Sequence, residues 1–331
     1  MTTQLQNSLN VQQAIEHVIA KQSLSYAQAK TLFDQIMQGN MSDIELSALL
    51  ISLKMKGEIS DEIAGAAASM RENAVAFITN KTQLADSCGT GGDGSNTINI
   101  STTAAIVAAA AGVNMVKHGN RSVSSNSGSA DLLKALGINI DMTPEVAAHC
   151  LESTNFTFLF APHYHSGVRH AMNVRTTLKT RTVFNILGPL ANPAAPDVQL
   201  LGVYDESLCL PMAQTLHTLG TRRAMIVHVV ELDNGKITQY TLNPSDFDLA
   251  NYSLEQLAGE GPQYNANASL AILQGKGSEA HNAAIIVNVA ALLYLTGQAQ
   301  SLKQGAQITH SLLRSGKAMD TLNAIIEVSH G

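Results

Sequence analysis

The chain reads Asp86-Ser87-Cys88-Gly89-Thr90-Gly91-Gly92-Asp93-Gly94 and, after one apolar segment, Lys117-His118-Gly119-Asn120-Arg121. A Gly-rich turn and a polar, cationic loop bracket that segment, which is the layout of an anion site with two walls. Glycines leave backbone N–H groups uncovered and permit positive φ, so the chain can wrap a phosphate or diphosphate closely. Asn99, Ser101 and Thr102 open the helix after the turn and add amide and hydroxyl donors. Small donors from Ser122 to Ser129 continue the second loop before Asp131-Leu132-Leu133-Lys134-Ala135-Leu136-Gly137 turns helical. The glycines alone would equally suit a plain strand-to-helix turn; two helix starts side by side favour a bound polyanion.

Outward from this stretch, short apolar runs alternate with helical patterns. Val113–Val116, Phe156–Phe160, Leu200–Tyr204 and Ala224–Val227 read as buried strands. This alternation predicts an α/β fold with a mostly parallel central sheet flanked by helices, and ligand sites beyond the carboxyl ends of strands. Upstream, Val11, Ile15, Val18 and Ile19 keep a helical period, as do Leu32, Ile36 and Met37, then Leu46, Leu49, Leu50 and Leu53. Ser42 or Asp43 caps the third helix and Ser60 opens the fourth. Residues 1–80 therefore read as a small all-helical domain and 81–331 as the α/β domain, with a linker between Phe77 and Leu84. From Leu270 to Ile326 the pattern is helical again, and Ala283 to Leu295 is apolar enough to be buried.

With 331 residues, 45% of them hydrophobic, the chain can bury a large core, which sets disorder aside. A net charge of −6 should repel nucleic acid and anionic membrane overall, so the expected partner is small. Cys88, Cys150 and Cys209 stand far apart without CxxC spacing; no zinc site or disulfide framework is expected, and a reducing cytoplasm is. No secretory signal and no membrane-spanning run is visible.

Several strings in series, Gly89-Thr90-Gly91-Gly92-Asp93, Asn99-Ile100-Ser101-Thr102, Lys117-His118-Gly119-Asn120-Arg121, Phe160-Ala161-Pro162, Val174-Arg175 and Arg181-Thr182-Val183-Phe184-Asn185-Ile186-Leu187-Gly188-Pro189-Leu190, resemble the anthranilate phosphoribosyltransferase family. The resemblance covers nearly the whole chain. It implies transfer of a phosphoribosyl group from 5-phosphoribosyl 1-diphosphate to anthranilate, the second step of the tryptophan branch, with Mg²⁺ and in a homodimer. It places Gly89, Gly92, Asp93, Thr97, Asn99, Ile100, Ser101 and Thr102 on the diphosphate and metal side, Ser101 as a metal ligand. Lys117, Asn120, Arg121, Ser122, Val123, Ser124, Ser125 and Ser129 surround the ribose phosphate, with His118 and Gly119 completing that wall. Gly89, Asn120 and Arg175 are assigned to anthranilate, whose carboxylate calls for a guanidinium. A segment near 166–190 is expected to cross back to the helical domain.

Read without the resemblance, Lys117 is a snorkelling lysine, Asp93 an Asx-turn residue and Arg175 a helix-surface charge no different from Arg169 or Arg181. His118, His163, His165 and His170 match no metal-binding spacing, and His118 reads as a pocket wall. The rival readings are a pyrimidine nucleoside phosphorylase and a non-catalytic nucleic-acid-binding relative of the same fold. One departure stands out: the family normally carries an Asp-Glu pair in a loop after the strand ending at Val227-His228, and this chain runs directly into Val229-Val230-Glu231-Leu232-Asp233. Either the pair is deleted, weakening a second Mg²⁺ site, or a mobile loop is missing from the chain as written, which is the favoured explanation. Asp233-Asn234-Gly235 reads as a hairpin turn.

Overall fold

The computed structural model describes residues 9–92, 94–122, 126–227 and 229–331. Four helices come first: α1 (Val11–Ile19), α2 (Tyr26–Met37), α3 (Asp43–Lys56) and α4 (Ser60–Glu72). Asn10, Ser25 and Ser42 each accept the N–H of the third helical residue, and Gln13, Gln28 and Glu45 reach back to the cap. Ser60 is the first residue inside α4, behind Ile59, whose N–H donates to Glu62 at 3.0 Å. Glu62 is buried, and Lys56 Nζ at 2.9 Å with the Leu24 N–H at 2.9 Å satisfies it. A carboxylate buried without such partners would cost several kcal/mol.

The α/β part runs β1 (Leu84–Gly89), α5 (Ile100–Ala110), β2 (Asn114–Gly119), α6 (Ser129–Ala135), α7 (Pro144–Thr154), β3 (Phe156–Phe160), the short α8 (Ala161–Tyr164), α9 (Arg169–Leu178), the short α10 (Phe184–Leu187), β4 (Val198–Gly202), α11 (Cys209–Thr218), β5 (Arg223–Val227), β6 (Val230–Asp233) and β7 (Lys236–Gln239). Helices α12 (Pro262–Leu273), α13 (Glu279–Leu295), α14 (Leu302–Arg314) and α15 (Lys317–Ser329) complete it. The sheet order is β3-β2-β1-β4-β5-β6-β7, parallel from β3 to β5 and antiparallel at β6 and β7. Chain order therefore reverses between β1 and β4, with Gly89 opposite Gly202. Such a switch point opens a crevice beyond the strand ends, and the Gly-rich turn leaves β1 there.

One core joins α5, α13 and the C-terminal helices to one face of the sheet. The other merges the N-terminal helices, α9 and α10 with α11 and residues of β4, β5 and β6, so the helical layer shares its core with the sheet. Among the described residues no helix is long and apolar enough to cross a membrane.

The chain as written carries no Asp-Glu pair between Val227 and Val229. Ile226 pairs antiparallel with Val230, and Val229 and Tyr240 exchange backbone hydrogen bonds at 3.3 and 3.1 Å, extending the β6–β7 ladder. His228 lies outside the described residues. The Asn234-Gly235 turn is as expected, with φ of 46° and 88°, the two positive values that a two-residue primed turn requires.

Candidate active site

The first wall is the turn after β1. Gly91, Gly92 and Gly94 have φ of 68°, 75° and 71°, a backbone only glycine adopts without strain. The Thr90 N–H donates to Gly202 O at 2.9 Å, and Thr90 Oγ1 accepts the Tyr204 N–H at 3.2 Å, so the turn is stitched to the end of β4. Its return leg pairs with residues 257–259: Thr97 bridges Ala258, and Ile98 N–H donates to Leu257 O at 3.0 Å. A Cβ on Gly259 would lie 2.6 Å from backbone atoms of Thr97 and Ile98. Nothing in the sequence pattern pointed to that buttress.

Asn99 joins the two walls. Its Nδ2 donates to Ser127 O at 3.0 Å, in the second loop, while its Oδ1 accepts from the buried Asn265 at 2.8 Å. Ile100, Ser101 and Thr102 form the first turn of α5, Ser101 half-buried and Thr102 buried. The second loop is clasped by Asp131, whose Oδ2 accepts the N–H groups of Ser122 and Gly128, both at 3.0 Å. Asn120 O accepts from Ala130 N–H and Ser129 Oγ, each at 3.2 Å. Gly119 makes this closure possible, since a Cβ there would stand 2.2 Å from Ser129 Oγ. Arg121 is exposed, 5.9 Å from the Phe160 ring centroid. Asp93, Val123, Ser124 and Ser125 lie outside the described residues.

Lys117 is fully buried, and its Nζ donates to Ser87 O at 2.6 Å beneath the end of β1. Asp86, also fully buried, accepts from Asn192 Nδ2 at 2.9 Å. Burial raises the Asp86 pKa and lowers that of Lys117, while each supports the other's charged form. The Lys117 charge thus reaches the cradle from below. Cys88 is held as a thiol, chiefly by burial, which excludes it as a nucleophile at neutral pH.

Arg175 stands on α9, its Cζ 5.1 Å from the Phe184 ring centroid. Among the described residues it makes no ion pair, and burial alone lowers its pKa, so it is a partly desolvated cation without a counter-charge. The His118 and His165 rings meet edge to face at 5.1 Å. His118 Nδ1 lies 3.3 Å from Gly188 O and its Nε2 has no partner. Burial pushes His118 down to about 3, with a push from His165, and His165 down to about 4. Folded values below the ordinary 6.5 mean that this stability is whole above about pH 6.5 and is lost as pH falls through 4 and 3. At pH 5 the cost is on the order of 2 kcal/mol per imidazole. A His118→Gln/His165→Gln variant should therefore lose less melting temperature between pH 7 and pH 5 than wild type; equal losses would contradict this.

No three His, Cys, Asp or Glu side chains cluster as a metal site among the described residues. The Ser101 hydroxyl suits one Mg²⁺ whose other oxygens come from a diphosphate and water.

Residues 12–74 match the helical bundle domain of the glycosyl transferase family, and residues 81–319 its a/b domain. The anthranilate phosphoribosyltransferase of Pseudoalteromonas translucida is 78% identical across 98% of this chain and 96% of its own. This chain belongs to the anthranilate phosphoribosyltransferase family. The crystal structure of the Thermus thermophilus anthranilate phosphoribosyltransferase superposes with a TM-score of 0.91 at 37% identity, covering 96% of this chain and 99% of that one. The Saccharomyces cerevisiae enzyme in complex with PRPP and Mg matches at 0.87 and 27%, over 97% and 98%. The helical layer, the mostly parallel sheet and the transferase chemistry of the family are those of this chain.

Proposed function

We propose that the two-walled cradle holds 5-phosphoribosyl 1-diphosphate and that Arg175 seats anthranilate, so that the enzyme forms N-(5-phosphoribosyl)anthranilate and diphosphate. The observation that carries this is Asn99, which ties the diphosphate wall to the phosphate wall through Ser127. Amides of the Gly-rich turn with Thr97, Asn99, Ser101 and Thr102 take the diphosphate; Asn120 to Ser125 and Ser129 take the 5′-phosphate, with Lys117 adding charge from beneath. One Mg²⁺ at Ser101 supplies charge neutralisation on the leaving group. Arg175 and Asn120 orient the acceptor so that its amine meets ribose C1: the C1–N bond forms, the C1–O bond to diphosphate breaks, and the amine proton goes to solvent. No side chain is needed as a strong base, because the arylamine is neutral and the imidazoles are held neutral.

Residues 1–80 with 166–190, and 81–331, are the two bodies of this reading, in the reducing cytoplasm where Cys88, Cys150 and Cys209 are free thiols. A homodimer through the helical layer belongs to it as well. Ile44 and Met55, 84% and 72% exposed and three turns apart on α3, form an apolar strip for it to cover. The direct test is loss of anthranilate fluorescence with the sugar donor and Mg²⁺, run beside phosphorolysis of thymidine and uridine. Turnover of anthranilate alone is expected; nucleoside phosphorolysis without it would overturn the assignment.

A further inference from the structure

We infer that Arg181 is a further donor-binding residue, its guanidinium taking the diphosphate at the Gly-rich turn. The inference rests on the reading of the cradle as the donor site. Arg181 lies between α9 and α10 and reaches over the turn: its Nη2 donates to Gly92 O, and its Cζ sits 4.0 Å from the Tyr204 ring centroid. Tyr204 is itself fixed, through its N–H on Thr90 Oγ1, so three chain segments converge on one guanidinium.

A Cβ on Gly92 would stand 3.2 Å from Arg181 Nη2, so glycine leaves room for the cation against the turn. Among the described residues Arg181 is exposed and ion-pairs with no carboxylate. Arg223, by contrast, is held by Glu231 at 3.1 Å and Asp233 at 3.3 Å. Among the described residues no carboxylate holds Arg181, and its place over the Tyr204 ring keeps the guanidinium at the turn.

Calorimetry with inorganic diphosphate as the probe, at saturating Mg²⁺, tests this on wild type, Arg181→Gln, Arg181→Lys and Tyr204→Leu. Arg181→Gln should weaken binding about tenfold or more, the loss of a charge-assisted hydrogen bond. Arg181→Lys should restore part of it, and Tyr204→Leu should fall between. The KM for anthranilate should stay within about twofold of wild type, and circular dichroism should show the fold intact. Arg181→Gln binding diphosphate as wild type does would overturn the inference alone. Wild type that binds no diphosphate would overturn the donor-site reading and this inference together.

Discussion

Replacing Arg175 by alanine should lower kcat/KM for anthranilate by about a hundredfold to a thousandfold, the range expected when one partner of a desolvated, hydrogen-bonded charge pair is removed. Arg175, on α9, is half-buried, and burial lowers its pKa while no ion pair meets it among the described residues. A group in that state is paid for only when an anion arrives, and the acceptor's carboxylate is that anion. Phe184, whose ring centroid lies 5.1 Å from its Cζ, adds an aromatic neighbour that suits an acceptor which is itself a ring. Binding of the sugar donor, measured by calorimetry, should be unchanged, because among the described residues no hydrogen bond or ion pair joins Arg175 to the cradle. Equal losses for both substrates would mean that Arg175 organises the fold. Arg175→Lys should recover little, since a point charge cannot grip a carboxylate in two places.

The second large effect is on stability. Asp86→Ala should destabilise the protein by about 1–3 kcal/mol, the usual cost of leaving buried polar groups short of an acceptor. Lys117 would still donate to Ser87 O but lose a nearby opposite charge, and Asn192 Nδ2 would lose one of its two acceptors, retaining Val116 O at 2.7 Å. Asp86→Asn preserves the shape and one acceptor, so its loss should be clearly smaller. Denaturant unfolding of the three proteins gives the comparison. If Asp86→Ala unfolds at the wild-type midpoint, the buried Asp86–Lys117 arrangement does not hold the strand ends together.

How much of this was legible in the sequence follows from the range of the interactions involved. The Gly-rich turn, the strands around it and the Asn234-Gly235 hairpin are local: each depends on residues a few positions apart whose φ preferences or alternation are visible directly. The cap at Ser42 and the start of α4 at Ser60 are local too, the latter with Glu62 satisfying the helix N-terminus from inside the helix. Arg181, Tyr204, Asn265 and Gly259 were not assigned to the site, since what places them there is contact between segments distant in sequence. Asp86 carried a signal that could have been used: a lone acid inside a strand buried on both faces needs a cation, and Lys117 is one residue of sheet register away.

The central claim is that one doubly phosphorylated sugar spans both walls, and a structure of the protein grown with 5-phosphoribosyl 1-diphosphate and Mg²⁺ tests it most directly. The account predicts the diphosphate against the Gly89–Gly92 turn and the start of α5, the 5′-phosphate in the loop clasped by Asp131, and ribose C1 facing Arg175. The sugar bound elsewhere, or bound with its two phosphate groups exchanged between the walls, would contradict it.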